Sequence, residues 1–398
     1  MRLVRVIKWF VICLFILGLV PAGYVLYRVW PRPMPPGPTG IPRVYLKNGK
    51  IGLSMFKGLA VAEVGDYPRM LQAYLRFDYL RSRPAVAPGR AYLCQGPGTA
   101  SHGHKIFLQV SNNMLQAVPY LESLVAEGVI PDFALYDWRP KDLAACQEQS
   151  GLVDRVFRPA PQLHLYQIPD KMLIGPMADF LVFKSETDNR VLGQGSEALS
   201  PLTVPQARQL AQDILIISRF YSLPLGYFMA IGAMENNYIS VNGDLDLAVW
   251  KRYPQPGDIV LKRRPGWVLV RNYSLGVWQI TLDTLRYAQL LYKRDRTVRD
   301  YSLLPKGLRP HIEPDPEEIR PETLTTYAGL LFRHLLDRFH GNIMEAVGAY
   351  NGGPRDPNRV YAESVLRIER YARRVIVHAV FFPPTQTNNS SPSLHPAQ

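Results

Sequence analysis

Helical periodicity through the second half of the chain constrains its fold more than any other feature. Thr203 and Gln206 have the spacing of a capping box, with Pro205 in the first turn, and Leu210, Ile214, Ile217 and Phe220 follow along one side. A helix over 203–221 is therefore predicted, because apolar side chains recurring every three to four residues pack one helical face against a core. Leu225, Phe228, Met229 and Gly232 give the next segment, 223–234, an apolar face. Helices are also predicted over 284–293, over 321–339 with Gly341 ending it, and over 360–379 with Tyr361, Val365, Ile368 and Val375 inward. The 321–339 helix carries Leu324, Tyr327, Leu331, Leu335 and Phe339, and a short helix with Val347 leads into Tyr350. One stretch breaks the pattern. Asp258-Ile259-Val260-Leu261 and Trp267-Val268-Leu269-Val270 are β-rich runs around Pro265-Gly266, the signature of a hairpin inserted into an otherwise all-α unit.

Between 43 and 189 the signals alternate, which predicts a small α/β domain. Strands are expected at 106–110, at 133–136, near Val156 and at 181–183, with helices over 113–127 and 141–149 and a turn at Asn48-Gly49. Its only metal-like feature is Ser101-His102-Gly103-His104, and two histidines at that spacing hold a metal only with further ligands, so a polar loop is expected and no metal or cofactor is assigned.

The N-terminus adds a membrane element. Arg2, Arg5 and Lys8 precede an apolar run from Trp9 to Tyr27, about long enough to span a bilayer, and Arg28 and Arg32 follow it. Residues 1–30 read as a transmembrane anchor or as a cleaved signal peptide leaving at Pro21-Ala22-Gly23, and either exports the rest. Residues 31–42 form a proline-rich, semi-rigid linker, and 381–398 a polar, disordered tail. A formal charge of +13 suits nucleic acid, anionic lipid or an acidic polymer. With no zinc finger or phosphate loop, nucleic acid is not expected as a partner. Cys13 lies inside the apolar run, so Cys94 and Cys146 are either a disulfide of an oxidising compartment or two buried thiols.

The chemistry centres on Glu235. A carboxylate at the end of an apolar helix has a raised pKa, since desolvation disfavours its charged form, and a protonated acid can donate to a glycosidic oxygen near neutral pH. Gly276-Val277-Trp278-Gln279 and Ala349-Tyr350-Asn351-Gly352-Gly353 follow it, and Tyr361, Val365 and Tyr371 lie on the last helix. In this order the segments resemble the catalytic core of the lytic transglycosylases of the soluble-transglycosylase type. The resemblance spans about Pro201 to Ala379 and implies a lysozyme-like catalytic domain over 190–380. The expected fold is thus α+β overall: a transmembrane helix, a small α/β domain, then a mainly α lysozyme-like domain with the inserted hairpin.

The same resemblance implies cleavage of the bond between N-acetylmuramic acid and N-acetylglucosamine in peptidoglycan. Glu235 serves as acid and then as base, and the sugar's own C6 hydroxyl closes a 1,6-anhydro ring. Tyr350 would orient the acid, and Asn351 and Gln279 would offer amides to the sugar or serve as a helix cap and a satisfied buried amide. Gly276 belongs to the same substrate-binding segment, and Trp278 would stack on a sugar or belong to the core. The implied location is the bacterial inner membrane, with the catalytic part outside. Partners are then peptidoglycan glycan strands, the membrane through the N-terminal helix, and an envelope protein through residues 43–189.

Three departures from the family pattern stand out. Asn236 replaces a serine beside the acid, Val277-Trp278 replaces a Leu-Met pair, and the hairpin lengthens the stretch between Glu235 and Gln279. The hairpin's Lys262, Arg263, Arg264 and Arg271 would meet carboxylates of peptide stems, or form a solvated edge that resists strand pairing. A lysozyme-like hydrolase is the alternative enzyme and requires a second carboxylate, for which Asp244 and Asp246 stand after the acid. A non-catalytic glycan-binding scaffold is the alternative outside enzymes.

Overall fold

The computed structural model describes residues 58–94, 103–186, 201–239, 248–254, 259–271, 274–311 and 320–381. All of them belong to one unit, Leu46–Gln398. The first part builds a sheet flanked by helices, in the order β1 (Leu59–Tyr67), α1 (Met70–Arg81), β2 (Ala91–Cys94), β3 (His104–Gln109), α2 (Met114–Ala126), β4 (Ala134–Trp138), α3 (Pro140–Phe157) and α4 (Asp170–Glu186). The strands pair antiparallel in the order β2-β3-β1-β4, with a bulge in β1 between Glu63 and Gly65. Both faces are covered. Ala60, Ala62 and Val64 face the main core, while Val61, Tyr92, Phe107 and Trp138 pack with Leu143 of α3 on the other side. Cys94 and Cys146 form a disulfide that fastens β2 to α3 with their Cα atoms 5.3 Å apart.

The helical part continues with α5 (Val204–Phe220) and α6 (Leu225–Asn236). The capping box at Thr203 is formed: the Thr203 N–H donates to Gln206 Oε1 at 2.9 Å, and the Gln206 N–H donates to Thr203 Oγ1 at 3.4 Å. Next come β5 (Ala248–Lys251), β6 (Ile259–Arg264) and β7 (Trp267–Arg271). The hairpin of β6 and β7 turns through Gly266 at φ +73°, a left-handed conformation that glycine adopts without strain, and β5 pairs with the free side of β7. A two-residue ladder, β8 (Ser274–Leu275) with β9 (Ile280–Thr281), brackets the turn at Gly276–Trp278. The chain ends in α7 (Leu282–Asp295), α8 (Pro321–Arg338), α9 (Ile343–Gly352) and α10 (Arg359–Phe381).

The expected α+β class with a small α/β domain is overturned. About 60% of the described structure is helical and its sheets are small. The sheet of the first part is antiparallel throughout, where an α/β domain needs parallel strands. Val156 lies in α3 and residues 181–183 lie in α4, not in strands. Leu173, Met177, Phe180 and Leu181 recur at helical spacing in α4 and are fully buried, and a short apolar run inside such a helix cannot be told from a strand by itself. No described helix is long and apolar enough to cross a membrane. The predicted anchor, the proline-rich linker, the Asn48-Gly49 turn and the tail beyond Phe381 lie outside the described residues.

One apolar cluster runs from the first sheet into the helices, taking in Ala62, Leu93 and Leu108 together with Ile214, Phe228, Trp278 and Val375. The sheet therefore braces the helices that carry the candidate site.

Candidate active site

Glu235 sits in the last turn of α6, a helix buried almost all round through Phe228, Met229, Ala230, Ile231 and Ala233. Such a helix cannot rotate without exposing apolar surface, so the position of Glu235 is fixed by packing rather than by its own contacts. The residues after it reverse the chain in left-handed conformations, Asn237 at φ 55° and Tyr238 at φ 66°. Tyr238 is fully buried and its hydroxyl donates to the Met229 carbonyl, which folds this reversal back onto α6.

Asn236 faces away from the cleft. Its amide Nδ2 donates to the carbonyl of Ile239 and, at 3.1 Å, to that of Gly276, so it ties the acid's helix to the β8–β9 turn. A serine hydroxyl is one donor and cannot serve both carbonyls, which gives the departure at this position a structural reason.

Gly276 has φ +63°, and a Cβ there would lie 2.7 Å from Leu324 Cδ1. The left-handed backbone favours glycine here, and any side chain would also displace the end of Leu324. The Gln279 amide donates to the Gly276 carbonyl at 2.8 Å and accepts from Ser274 Oγ at 2.7 Å, so it is committed to holding its own turn. Trp278 is fully buried, stacks on Phe228 at 4.4 Å between ring centroids, and donates from Nε1 to Thr325 Oγ1 at 3.0 Å. Its ring belongs to the core and is not available to a sugar.

A cleft of about 460 Å³ opens beside Glu235. Trp278, Gln279, Tyr350 and Asn351 border it, and Gly276 is not part of its lining. Tyr350 is half-buried at the end of α9 and donates to the Trp278 carbonyl at 3.4 Å. Burial and the neighbouring Glu235 push the Tyr350 phenol well above its usual range, so it remains a donor. Asn351, in the last turn of α9, is exposed and accepts from Asn358 Nδ2 at 2.8 Å.

The Glu235 carboxyl is pushed up to about 7, because burial penalises the charged form more than a hydrogen bond from Tyr361 favours it. Tyr361, on the first turn of α10, donates to Glu235 Oε1 at 2.5 Å. Its own phenol is pushed far up by burial and by the adjoining carboxyl, which keeps it protonated.

Sequence reasoning placed Tyr361 in the core but missed its bond to the acid, and it missed the opposite wall of the cleft. There Tyr287 of α7 donates to or accepts from His334 Nε2 of α8 at 2.9 Å. Thr284 and Tyr287 line the cleft from one face of α7, with Thr281 at its N-cap, and Leu331, His334 and Leu335 from one face of α8. The three-residue spacing was visible in the sequence; that both faces border the cleft was not.

Glu235 is the only carboxylate among the described residues lining the cleft. Asp244 and Asp246 lie outside the described residues. His104 is buried on β3, and among the described residues no group of three or more metal-ligating side chains forms. Comparison with known proteins found no match to any family model, curated protein or solved structure.

Proposed function

We propose that the protein is a peptidoglycan lytic transglycosylase, cutting between N-acetylmuramic acid and N-acetylglucosamine without water. The observation that carries this reading is a cleft whose single described carboxylate is pushed up to about 7 and held by a phenol. At neutral pH such a group is present in both protonation states. The reaction needs each in turn.

In the first step the protonated Glu235 donates to the glycosidic oxygen while positive charge develops at the anomeric carbon of the muramic acid. The carboxylate left behind is stabilised by the Tyr361 hydroxyl. The substrate's acetamido oxygen supplies the nucleophile that a second enzyme carboxylate supplies in other glycosidases. In the second step Glu235 takes the proton of the C6 hydroxyl, whose oxygen attacks the anomeric carbon and closes the 1,6-anhydro ring. The proton returns to Glu235 and the cycle is complete. Tyr350 stands at the cleft as a neutral donor beside the acid.

The resemblance of the Glu235, Gly276–Gln279 and Ala349–Gly353 segments to lytic transglycosylases supports the same reading. The Cys94–Cys146 disulfide suits an oxidising compartment, and we place the catalytic part on the outer side of a bacterial inner membrane, where the glycan strands are. An envelope protein remains the proposed partner for the first sheet and its helices.

The test is to incubate the protein with purified peptidoglycan beside a Glu235→Gln control and to weigh the released muropeptides. Products about one water lighter than hydrolysis products, absent from the control, are expected. Hydrated reducing ends would make the protein a hydrolase and give Asp244 or Asp246 the task of activating water.

A further inference from the structure

The sheet of β5, β7 and β6 contributes no residue to the lining of the cleft. Its inner face is apolar, with Val268 and Val270 buried against the protein. Its outer face and its β6 edge are unpartnered among the described residues. Residues 248–271 carry Lys251, Arg252, Lys262, Arg263, Arg264 and Arg271 against a single acid, Asp258. Lys251 is paired with Asp283 at 2.8 Å, and no described carboxylate pairs with Lys262, Arg263 or Arg264.

Charge alone would describe a solvated edge guarded against strand pairing. The apolar residues beside it do not fit that role. Leu261 is 46% exposed, Trp267 41% and Tyr253 75%. The Arg264 guanidinium lies 4.0 Å from the Trp250 ring centroid and 5.9 Å from that of Trp267, so two indoles and a cation lie together across the three strands. The register places Trp250, Trp267, Lys262 and Arg264 on the face opposite Val268 and Val270, with Leu261 at the bulge of the β6 edge. Indole rings, an exposed aliphatic side chain and cations with no described carboxylate partner match the boundary of an anionic bilayer. There the rings sit at headgroup depth, the aliphatic groups enter the acyl region and the cations meet phosphates. Carboxylates of peptide stems would satisfy Lys262 and Arg264 but would leave Leu261 and Trp267 in water.

We propose that the outer face and β6 edge of this sheet dock on the surface of a bilayer rich in anionic phospholipid. The inference is independent of the proposed cleavage reaction and uses none of its residues.

The test places a dye on the edge strand of the full chain. Leu261→Cys, in a Cys13→Ser background, is labelled with an environment-sensitive fluorophore and titrated with vesicles of phosphatidylglycerol and phosphatidylcholine, some carrying spin-labelled acyl chains. A blue shift and quenching are expected with the mixed vesicles and not with phosphatidylcholine alone. Salt at 1 M should reverse both, because it screens exposed charges. Combined Lys262→Gln, Arg263→Gln and Arg264→Gln substitutions should weaken partitioning on the order of a hundredfold, at roughly fivefold for each basic residue. Loss of fold in that variant would leave the salt reversal to decide. A dye that stays in water with anionic vesicles, or responds equally to neutral ones, overturns the proposal. So does a dye that shifts on purified peptidoglycan without lipid, which would assign the surface to the polymer.

Discussion

The Tyr361 hydroxyl donates to Glu235 Oε1 at 2.5 Å, joining the first turn of α10 to the last turn of α6 across 126 residues of sequence. Two opposing effects meet in this pair. Burial raises the carboxyl's pKa, the phenol's hydrogen bond lowers it, and the balance falls at about 7.

Tyr361→Phe removes the effect that favours the charged form. The Glu235 pKa should rise further, by about half a unit to one unit if the bond is worth a typical 0.5–1.5 kcal/mol. The alkaline limb of the kcat/KM profile for glycan cleavage should move up with it, and kcat should fall because the carboxylate formed in the first step loses its donor. A lower rate with an unmoved alkaline limb would show that Tyr361 does not act on the acid.

Glu235→Gln should abolish cleavage and also stabilise the fold in a pH-dependent way. The folded pKa of about 7 lies above the ordinary 4.5, so the native state holds a proton that the unfolded chain has released between these values. The stability contribution of Glu235 is fully present below about 4.5 and is lost as the pH rises through about 7. The Gln variant escapes that loss, and urea titrations should find it more stable than the parent by about 1–3 kcal/mol at pH 8 and equal to it at pH 4.

Asn236 is the tie between α6 and the Gly276 turn. Asn236→Ser should cost about 1–3 kcal/mol, because buried carbonyls lose their donors. Asn236→Asp should cost more, since it sets a carboxylate against two carbonyl oxygens. Equal midpoints for the two variants in denaturant would contradict this role.

The Cys94–Cys146 disulfide closes a separation of 52 residues between β2 and α3. Replacing both cysteines with alanine should lower stability by about 2–4 kcal/mol, chiefly by freeing the unfolded chain. Differential scanning calorimetry at one pH, with and without reductant, would measure it. A reductant effect on the parent and none on the variant is expected.

Much of the helical part was legible in the sequence because its signals are local. The Thr203–Gln206 capping box, the apolar spacing of 321–339 and 360–379, and the Pro265-Gly266 turn each depend on residues within a few positions of one another. The burial of Glu235 could be read from the apolar run before it for the same reason. Trp278 was read both as core and as a sugar platform, since one sequence position between apolar neighbours suits either. Its stack on Phe228 removes the second.

In the second half of the chain the sequence by itself determined which segments are helical, where the hairpin turns, and which carboxyl is drawn out of water, because local spacing decides which faces must be buried. Tertiary structure alone decided that residues 181–183 are helix rather than strand, that Cys94 meets Cys146, that Tyr361 reaches Glu235 and that Tyr287 meets His334. Those outcomes depend on contacts between residues far apart in the chain, whose energy is gained only when the whole core closes around them.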